Sequence, residues 1–170
     1  MCFLLFAASP LTLSELRSML PPGFSADLAS HGDQAVLRSL HPAAHTGVRL
    51  LLGACSCDLV LARSGDREEE RVLRQRHFAA GMPRDQVIAS LEGHRRGGGR
   101  SDSPAAARAA LAGFVAEHAR NAGPTLYLLD FGPGPLGRRS WGEPVRIALR
   151  DVLADVGGWL REGQPIVVSP

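Results

Sequence analysis

An apolar run in the middle of the chain ends in a pair of cysteines, and its sequence is Val48-Arg49-Leu50-Leu51-Leu52-Gly53-Ala54-Cys55-Ser56-Cys57-Asp58. A continuous apolar run of this length is typical of a strand that is buried on both faces of a sheet. Cys55 and Cys57 directly follow the strand. In α/β proteins, ligands bind beyond the carboxyl ends of the strands. The run therefore predicts a buried strand at 47–52 and a candidate site just after it.

Comparable runs predict the rest of the sheet. The further strands are expected at 2–8, 24–29, 125–131 and 165–168. Helical patterns separate these strands, and a capping box formed by Thr12 and Glu15 marks the first helix. Strands that alternate with helices favour the α/β class, here a three-layer domain with a small, mainly parallel sheet of four to five strands flanked by helices.

The chain length of 170 residues is that of one domain, which we expect to cover residues 1–170. A Gly- and Arg-rich segment at about 93–103 is expected to be a flexible surface loop. The helix before it is expected to end at Gly93. A final helix is expected from Trp141 to Leu160, because apolar residues recur there at helical spacing.

The composition excludes several classes of function. The chain has 19 basic residues and no lysine, so mechanisms that need a Schiff-base lysine or a P-loop lysine are excluded. The net charge of +2 is too small to indicate a nucleic-acid or membrane partner. Arg95, Arg96 and Arg100 lie in a segment without aromatic residues, which argues against base stacking there.

The cellular compartment is inferred from the start of the chain and from the cysteines. Residues 1–9 are largely apolar, but the run is too short to span a membrane and no positive segment precedes it. The chain has three cysteines, an odd number that does not suit a disulfide framework. We therefore expect a cytoplasmic protein with reduced thiols and no membrane partner.

The first hypothesis for the cysteines is a metal site. Zinc takes thiolate and imidazole ligands in a tetrahedron. Cys55 and Cys57 would supply two of these ligands, and Cys2 or a histidine such as His45 or His77 would complete the set. Structural zinc sites usually use cysteines separated by two or more residues, so a single Cys-x-Cys pair is a weak signal for zinc.

The second hypothesis is thiol chemistry. A helix that begins near Asp58 would lower the pKa of a nearby thiol through its dipole, whereas the Asp58 carboxylate would oppose that shift. Asp130 lies near the end of another strand, and a parallel arrangement would bring it to the same rim of the sheet as the cysteines. The candidate catalytic residues are therefore Cys55, Cys57, Asp58 and Asp130. The alternative is that the cysteines are buried small hydrophobes without a chemical role.

Cys2 supports a third hypothesis. Removal of Met1 would leave an N-terminal cysteine whose amine can act as the base for its own thiol. The opening at residues 1–14, MCFLLFAASPLTLS, resembles that of class II glutamine amidotransferases, which begin Met-Cys and continue as a strand. The resemblance implies an amidotransferase-like hydrolase with two stacked sheets. The chain, however, has no Asn-Gly-type oxyanion-hole motif and offers too few strands for two sheets.

The leading function hypothesis is a protein whose thiol site at the strand ends binds a soft metal, with zinc as the candidate cofactor, or performs thiol chemistry. Whether it is an enzyme stays open. The alternative is a non-catalytic interaction protein that pairs as a homodimer through apolar faces of the helices at 104–120 and 141–160. A parallel sheet would hold Cys2 roughly 20 Å from Cys55 and Cys57, at the other end of a strand. Cys2 is therefore predicted to be remote from the pair.

Overall fold

The computed structural model describes residues 3–53, 56, 59, 67–97, 104–131, 134–156 and 158–170. Within these residues the chain forms six strands, six helices and one short 3-10 turn. Their order is β1 (Phe3–Ser9), α1 (Leu13–Ser18), β2 (Phe24–Leu28), α2 (His31–Leu40), β3 (Thr46–Leu52), α3 (Arg67–Ala79), α4 (Arg84–Gly97), α5 (Pro104–Ala122), β4 (Thr125–Phe131), the 3-10 turn (Leu136–Arg138), β5 (Val145–Ala148), α6 (Leu149–Ala154) and β6 (Ile166–Ser169).

The six strands form one sheet in the order β2-β3-β1-β4-β6-β5. Neighbouring strands in the described part of the chain are antiparallel, except that β5 and β6 are parallel. The first four strands of this order have the arrangement of a split β-α-β unit. The α/β class is confirmed, whereas the expected mainly parallel sheet of four to five strands is wrong in both strand number and strand direction.

The reason for this difference is that two of the helical connections skip a strand. β1 and β2 are parallel to each other, as a helical crossover between them predicts, but β3 lies between them and is antiparallel to both. In the same way β3 and β4 are parallel with β1 between them. The alternation of strands and helices indicated these two crossovers. The helix α2, however, connects the antiparallel neighbours β2 and β3, so alternation alone determines neither the direction nor the adjacency of the connected strands.

Helices cover both faces of the sheet. One face packs against α1, α5 and α6, whose Leu16, Leu111 and Val152 belong to a single buried cluster. The other face packs against α2 and the 3-10 turn through Leu37 and Leu136. The strands between these layers are buried on both sides, which explains why β1 and β4 have continuous apolar sequences.

Local sequence signals set several of the observed boundaries. The Thr12 hydroxyl accepts a hydrogen bond from the Glu15 N–H, and the Glu15 carboxylate accepts one from the Thr12 N–H at 2.7 Å, so the predicted capping box is confirmed. β4 spans the predicted residues 125–131. Gly123, with a φ of 75°, follows the end of α5 in the left-handed region that favours glycine.

Gly47 lets α2 approach β3 closely. A Cβ atom at this position would lie 2.9 Å from Leu37 Cδ1 and 3.2 Å from Gln34 Cγ, so a larger residue would require these two side chains to shift. The Gly47 carbonyl also accepts a hydrogen bond from the Ala29 N–H at 3.0 Å. The absence of a side chain at Gly47 therefore leaves room for the Leu37 and Gln34 side chains of α2 against the strand.

Two helix predictions need correction. The segment 141–160 is not one helix, because β5 occupies Val145–Ala148 and α6 is limited to Leu149–Ala154. The β-branched residues of β5 pair with β6, and this tertiary pairing overrides the helical spacing of the apolar residues.

The helix expected to end at Gly93 continues to Gly97, so the predicted loop cannot begin at 93. The remainder of that loop, 98–103, lies outside the described residues.

No helix in the described part of the chain combines the length and the apolar character needed to cross a membrane.

Candidate functional site

Three strand ends meet at one edge of the sheet, which we call the cysteine edge. β1 begins there at Phe3, β3 ends there at Leu52 and β4 ends there at Phe131. Phe3 is opposite Phe131, and Leu4 is opposite Asp130. Because β3 and β4 both run antiparallel to β1, their carboxyl ends lie on the same side of the sheet. Asp130 therefore lies at the edge where β3 ends.

Most of the predicted thiol-site residues lie outside the described part of the chain, namely Cys2, Cys55, Cys57 and Asp58. The structure does describe Phe3, which follows Cys2 in the sequence, and Ser56, which lies between the other two cysteines. The Ser56 N–H donates a hydrogen bond to the Phe3 carbonyl at 3.0 Å. The residues that adjoin the three cysteines in the sequence are therefore in direct contact.

This contact bears on the prediction that Cys2 is remote from the other two cysteines. That prediction assumes that β1 and β3 run parallel, and the assumption is wrong, since the strands are antiparallel with Leu5 opposite Leu50. The amino end of β1 and the carboxyl end of β3 therefore share one edge. The distances between the three sulfur atoms involve residues outside the described part.

Ser56 joins β1 to β3 beyond the end of their ladder. Its hydroxyl accepts a hydrogen bond from the Leu5 N–H at 3.2 Å and donates one to the Leu50 carbonyl at 2.8 Å. The residue is fully buried. The hydroxyl thus provides a hydrogen-bond partner for a buried N–H and a buried carbonyl that do not bond to each other. Sequence analysis missed this role, because nothing in the local sequence identifies Leu5 as the partner.

Asp130 is a buried carboxylate with one cationic neighbour. Its side chain is 2% exposed and forms an ion pair with Arg139, whose side chain is 42% exposed. Burial raises the pKa of Asp130, and the Arg139 guanidinium acts against that rise. Arg139 also donates a hydrogen bond to the Phe131 carbonyl at 2.7 Å. The predicted candidate Asp130 is therefore held in place by a residue that the sequence did not single out.

Aromatic and cationic side chains surround the start of β1 at the cysteine edge. The rings of Phe3 and Phe131 lie 4.7 Å apart, and the buried His77 ring of α3 lies 5.6 Å from Phe131. The Arg76 guanidinium lies 5.9 Å from the centre of the Phe3 ring and forms an ion pair with Glu162 at 2.5 Å. α3 therefore brings an imidazole and a guanidinium to this edge.

The two histidines considered as metal ligands lie at different edges. His77 belongs to the cysteine edge, whereas the His45 N–H donates to the Ser9 carbonyl at the far end of β1. A strand of this length separates the two positions by roughly 20 Å. Among the residues that the structure describes, no group of three or more His, Cys, Asp or Glu side chains is arranged to hold a metal ion. The three cysteines are not among those residues.

A second polar cluster lies at the opposite edge, which we call the serine edge and define by Ser9, His118 and Tyr127. Nε2 of His118 lies 2.7 Å from the Ser9 hydroxyl, and Nδ1 lies 2.6 Å from the Tyr127 hydroxyl. The Leu11 N–H donates to the same Ser9 oxygen at 3.0 Å. A neutral imidazole donates through one ring nitrogen and accepts through the other, so one of the two hydroxyls donates to His118 and the other accepts from it.

The serine edge is closed to solvent. Ser9, His118 and Tyr127 are each fully buried. Burial lowers the pKa of His118 to about 4 and raises the pKa of Tyr127. Ser9 and His118 are spaced like a nucleophile and its base, but solvent does not reach either side chain. The cluster instead ties α5 to β1 and β4 with neutral hydrogen bonds. Sequence analysis missed it because its members are far apart in the chain.

Comparison with models of known protein families, with curated proteins and with solved structures found no match to this chain.

Proposed function

We propose that the cysteine edge carries a thiol site in which Cys55 and Cys57 bind a soft metal ion, with zinc as the candidate. Cys2 and His77 are the proposed further ligands. The observation that supports this proposal is the hydrogen bond between Phe3 and Ser56, since these residues adjoin the three cysteines in the sequence. Three thiolates and one imidazole form a ligand set that zinc commonly takes.

Two guanidinium groups lie at the cysteine edge, and each is paired with a carboxylate. Arg76 lies against the ring of Phe3, and Arg139 binds the end of β4 through Asp130 and the Phe131 carbonyl. Positive side chains near a thiol lower its pKa, whereas the paired carboxylates of Glu162 and Asp130 oppose that effect. The proposal therefore rests on the ligand set and not on the charge of the edge.

The test is a metal analysis of protein purified without an affinity tag, combined with a titration of its thiols. We expect one zinc ion per chain and protection of the thiols until a chelator removes the metal. Replacing Cys55 or Cys57 by Ser should abolish binding, and His77→Gln should weaken it by about 10-fold or more. His45→Gln, at the opposite edge, is the control and should bind zinc normally, with circular dichroism used to check the fold of each variant.

Other outcomes separate the alternatives. Metal-free protein with one or more thiols that react faster than a free cysteine would favour thiol chemistry over metal binding. Metal-free protein whose three thiols react only after unfolding would leave the cysteines as buried hydrophobes and contradict the thiol site altogether.

The second candidate function is that of an interaction protein with structural cysteines. Its basis in the sequence is weakened, because the segment 141–160 is not one continuous helix and the buried face of α5 already packs on the sheet. A different observation favours it, which is that Phe78 and Ile88 are both 47% exposed and line the same groove. Light scattering would detect a homodimer.

A further inference from the structure

We propose that Arg17 of α1 blocks the outer edge of β2, where a second copy of this chain would otherwise pair through its own β2. This inference is independent of the thiol site. In the described strand order β2 is at one end of the sheet, with β3 as its neighbour. An edge strand presents backbone groups that a strand of another chain can use. Arg17 donates from Nε to one of these groups, the Ala26 carbonyl, at 2.8 Å.

The pairing of β2 with β3 shows which backbone groups of β2 face outward. The Ala29 N–H donates to the Gly47 carbonyl at 3.0 Å, just beyond the end of the ladder. Hydrogen-bonded pairs alternate along an antiparallel ladder, so every second residue counted back from Ala29 bonds to β3. The residues between them are Phe24, Ala26 and Leu28, and their N–H and C=O groups point away from β3. The Ala26 carbonyl is therefore a group that a further strand would use.

The Arg17 guanidinium lies across this outer edge from one face of the sheet to the other. α1 packs on the same face of the sheet as Ala26, since both contribute to one buried cluster. Asp27 is the next residue of the strand, so its side chain points to the opposite face. Arg17 nevertheless reaches both, because Nε donates to the Ala26 carbonyl while Nη2 lies 3.4 Å from the Asp27 carboxylate. The side chain therefore occupies the space in which a pairing strand would lie.

The sequence of β2 is complementary to itself in one antiparallel register. A two-fold axis at Ala26 places Phe24 opposite Leu28 of the partner subunit, and Ser25 opposite Asp27 of the partner subunit. Leu28 is 56% exposed, the highest fraction among the large apolar side chains that the structure describes, and it would gain an apolar neighbour. An axis at Asp27 would instead place two carboxylates opposite each other, which is unfavourable. The exposed residues of β2 therefore favour a second copy in the first register.

The interface would be small, and for this reason the contacts of Arg17 decide whether it forms. β2 has five residues, so two copies of it bury far less than the roughly 1,200–2,000 Å² of a stable interface. Pairing also requires each chain to break the hydrogen bond between Arg17 and Ala26. We therefore expect the wild type to pair only weakly through β2, and we expect removal of the guanidinium to strengthen the pairing.

Analytical ultracentrifugation of the wild type and of Arg17→Ala over a range of concentrations tests the proposal. The dissociation constant of the dimer should be at least about 10-fold lower for Arg17→Ala, since two hydrogen bonds that compete with pairing are lost per dimer. Asp27 keeps a cation in this variant, because Arg49 of β3 lies 4.0 Å from its carboxylate. Arg38→Ala is the matched control and should leave the dissociation constant unchanged. The Arg38 Nε also donates to a carbonyl, that of Gln34 at 3.3 Å, but it does so within α2.

Substitutions on β2 and elsewhere test the location. Leu28→Lys in the Arg17→Ala background should raise the dissociation constant to the wild-type value or above, because it places a charge at the pairing edge. Leu153→Lys in the same background is the control and should leave the dimer intact, since Leu153 is 44% exposed on α6, which contacts β5 and β6 at the other end of the sheet. Hydrogen exchange gives a second readout, because protection of the Ala26 N–H should rise with the concentration of Arg17→Ala.

Three outcomes would overturn the proposal. The first is an equal dissociation constant for Arg17→Ala and the wild type. The second is an Arg17→Ala dimer that Leu28→Lys does not weaken, and the third is an Ala26 N–H whose exchange does not depend on concentration. Circular dichroism checks the fold of each variant. If Arg17→Ala is unfolded, Arg17→Met replaces it, since this variant keeps most of the side chain length and has no donor for the Ala26 carbonyl.

Discussion

The two ends of β1 carry polar clusters of opposite character. At the cysteine edge a buried carboxylate, Asp130, pairs with Arg139, which reaches the solvent. At the serine edge Ser9, His118 and Tyr127 form a neutral chain of hydrogen bonds that the solvent does not reach. A charged cluster that is open on one side suits ligand binding or chemistry, whereas a neutral and closed cluster suits the joining of helix to sheet. The position of a polar group at a strand end therefore does not by itself indicate a functional site.

The largest expected effect on the free energy of unfolding comes from removing His118, and it tests this comparison. His118→Leu should lower the free energy of unfolding by about 4 kcal/mol, because it leaves the buried hydroxyls of Ser9 and Tyr127 without their shared partner. Urea unfolding at pH 7.5 measures this change. His31→Gln, at an exposed position of α2, is the control and should change the free energy by less than about 0.5 kcal/mol. A loss below about 1 kcal/mol for His118→Leu would mean that the cluster contributes little to the fold.

A second prediction concerns the pH dependence of stability at the serine edge. In the unfolded chain His118 takes up a proton near its ordinary pKa of 6.5, whereas in the folded protein its pKa is lowered to about 4. The unfolded state therefore binds the proton first, and stability decreases as the pH falls from 6.5 to about 4. This shift corresponds to about 3 kcal/mol.

The measurement is the difference between wild-type protein and His118→Gln in urea unfolding at pH 7.5, 5.5 and 4.5. Taking the difference cancels the contribution of the carboxylates that also titrate in this range. The advantage of the wild type should shrink as the pH falls. An advantage that is constant across these pH values would contradict a buried, neutral His118.

Ser56 provides a test at the cysteine edge that does not depend on charge. Ser56→Ala should lower the free energy of unfolding by about 2–3 kcal/mol, since it removes the hydroxyl that bridges the Leu5 N–H and the Leu50 carbonyl. Ser39→Ala is the matched control, because the Ser39 hydroxyl also donates to a carbonyl but is exposed. Its effect should be below about 0.5 kcal/mol. Equal losses of unfolding free energy in both variants would show that the Ser56 bridge between β1 and β3 stabilises the fold no more than an exposed hydroxyl does.

The sequence was sufficient for elements whose signals are local. The continuous apolar runs predicted β3 and β4 closely, and the capping box predicted the start of α1. Strand order could not be predicted, because two strands connected by a helical crossover can be adjacent or can have another strand between them. The helix expected at 141–160 shows the related limit, since a spacing that fits a helix can belong to a strand whose pairing is decided by residues elsewhere.

The candidate site could be predicted only in outline. Asp130 was identified because it lies near the end of a recognisable strand, and it does lie at the cysteine edge. Arg139 and Ser56 were missed, since their roles depend on partners fixed by tertiary packing. His77 and His45 could not be separated by sequence, and only the position of α3 brings His77 to this edge.

The smallest effect that we predict belongs to the ion pair at the cysteine edge. Arg139→Gln should lower the free energy of unfolding by about 2 kcal/mol at pH 7.5, because it leaves the Asp130 carboxylate buried without its cation. The cost should fall as the pH is lowered, since removal of Arg139 raises the pKa of Asp130 further and the protonated carboxyl needs no cation. Urea unfolding at pH 7.5 and 4 measures both quantities. Arg138→Gln, an exposed neighbour without a described ion pair, is the control and should show neither effect. If the free energy of unfolding lost in Arg139→Gln does not depend on pH, the loss comes from packing and not from the missing charge. The contrast between the two edges would then not be electrostatic.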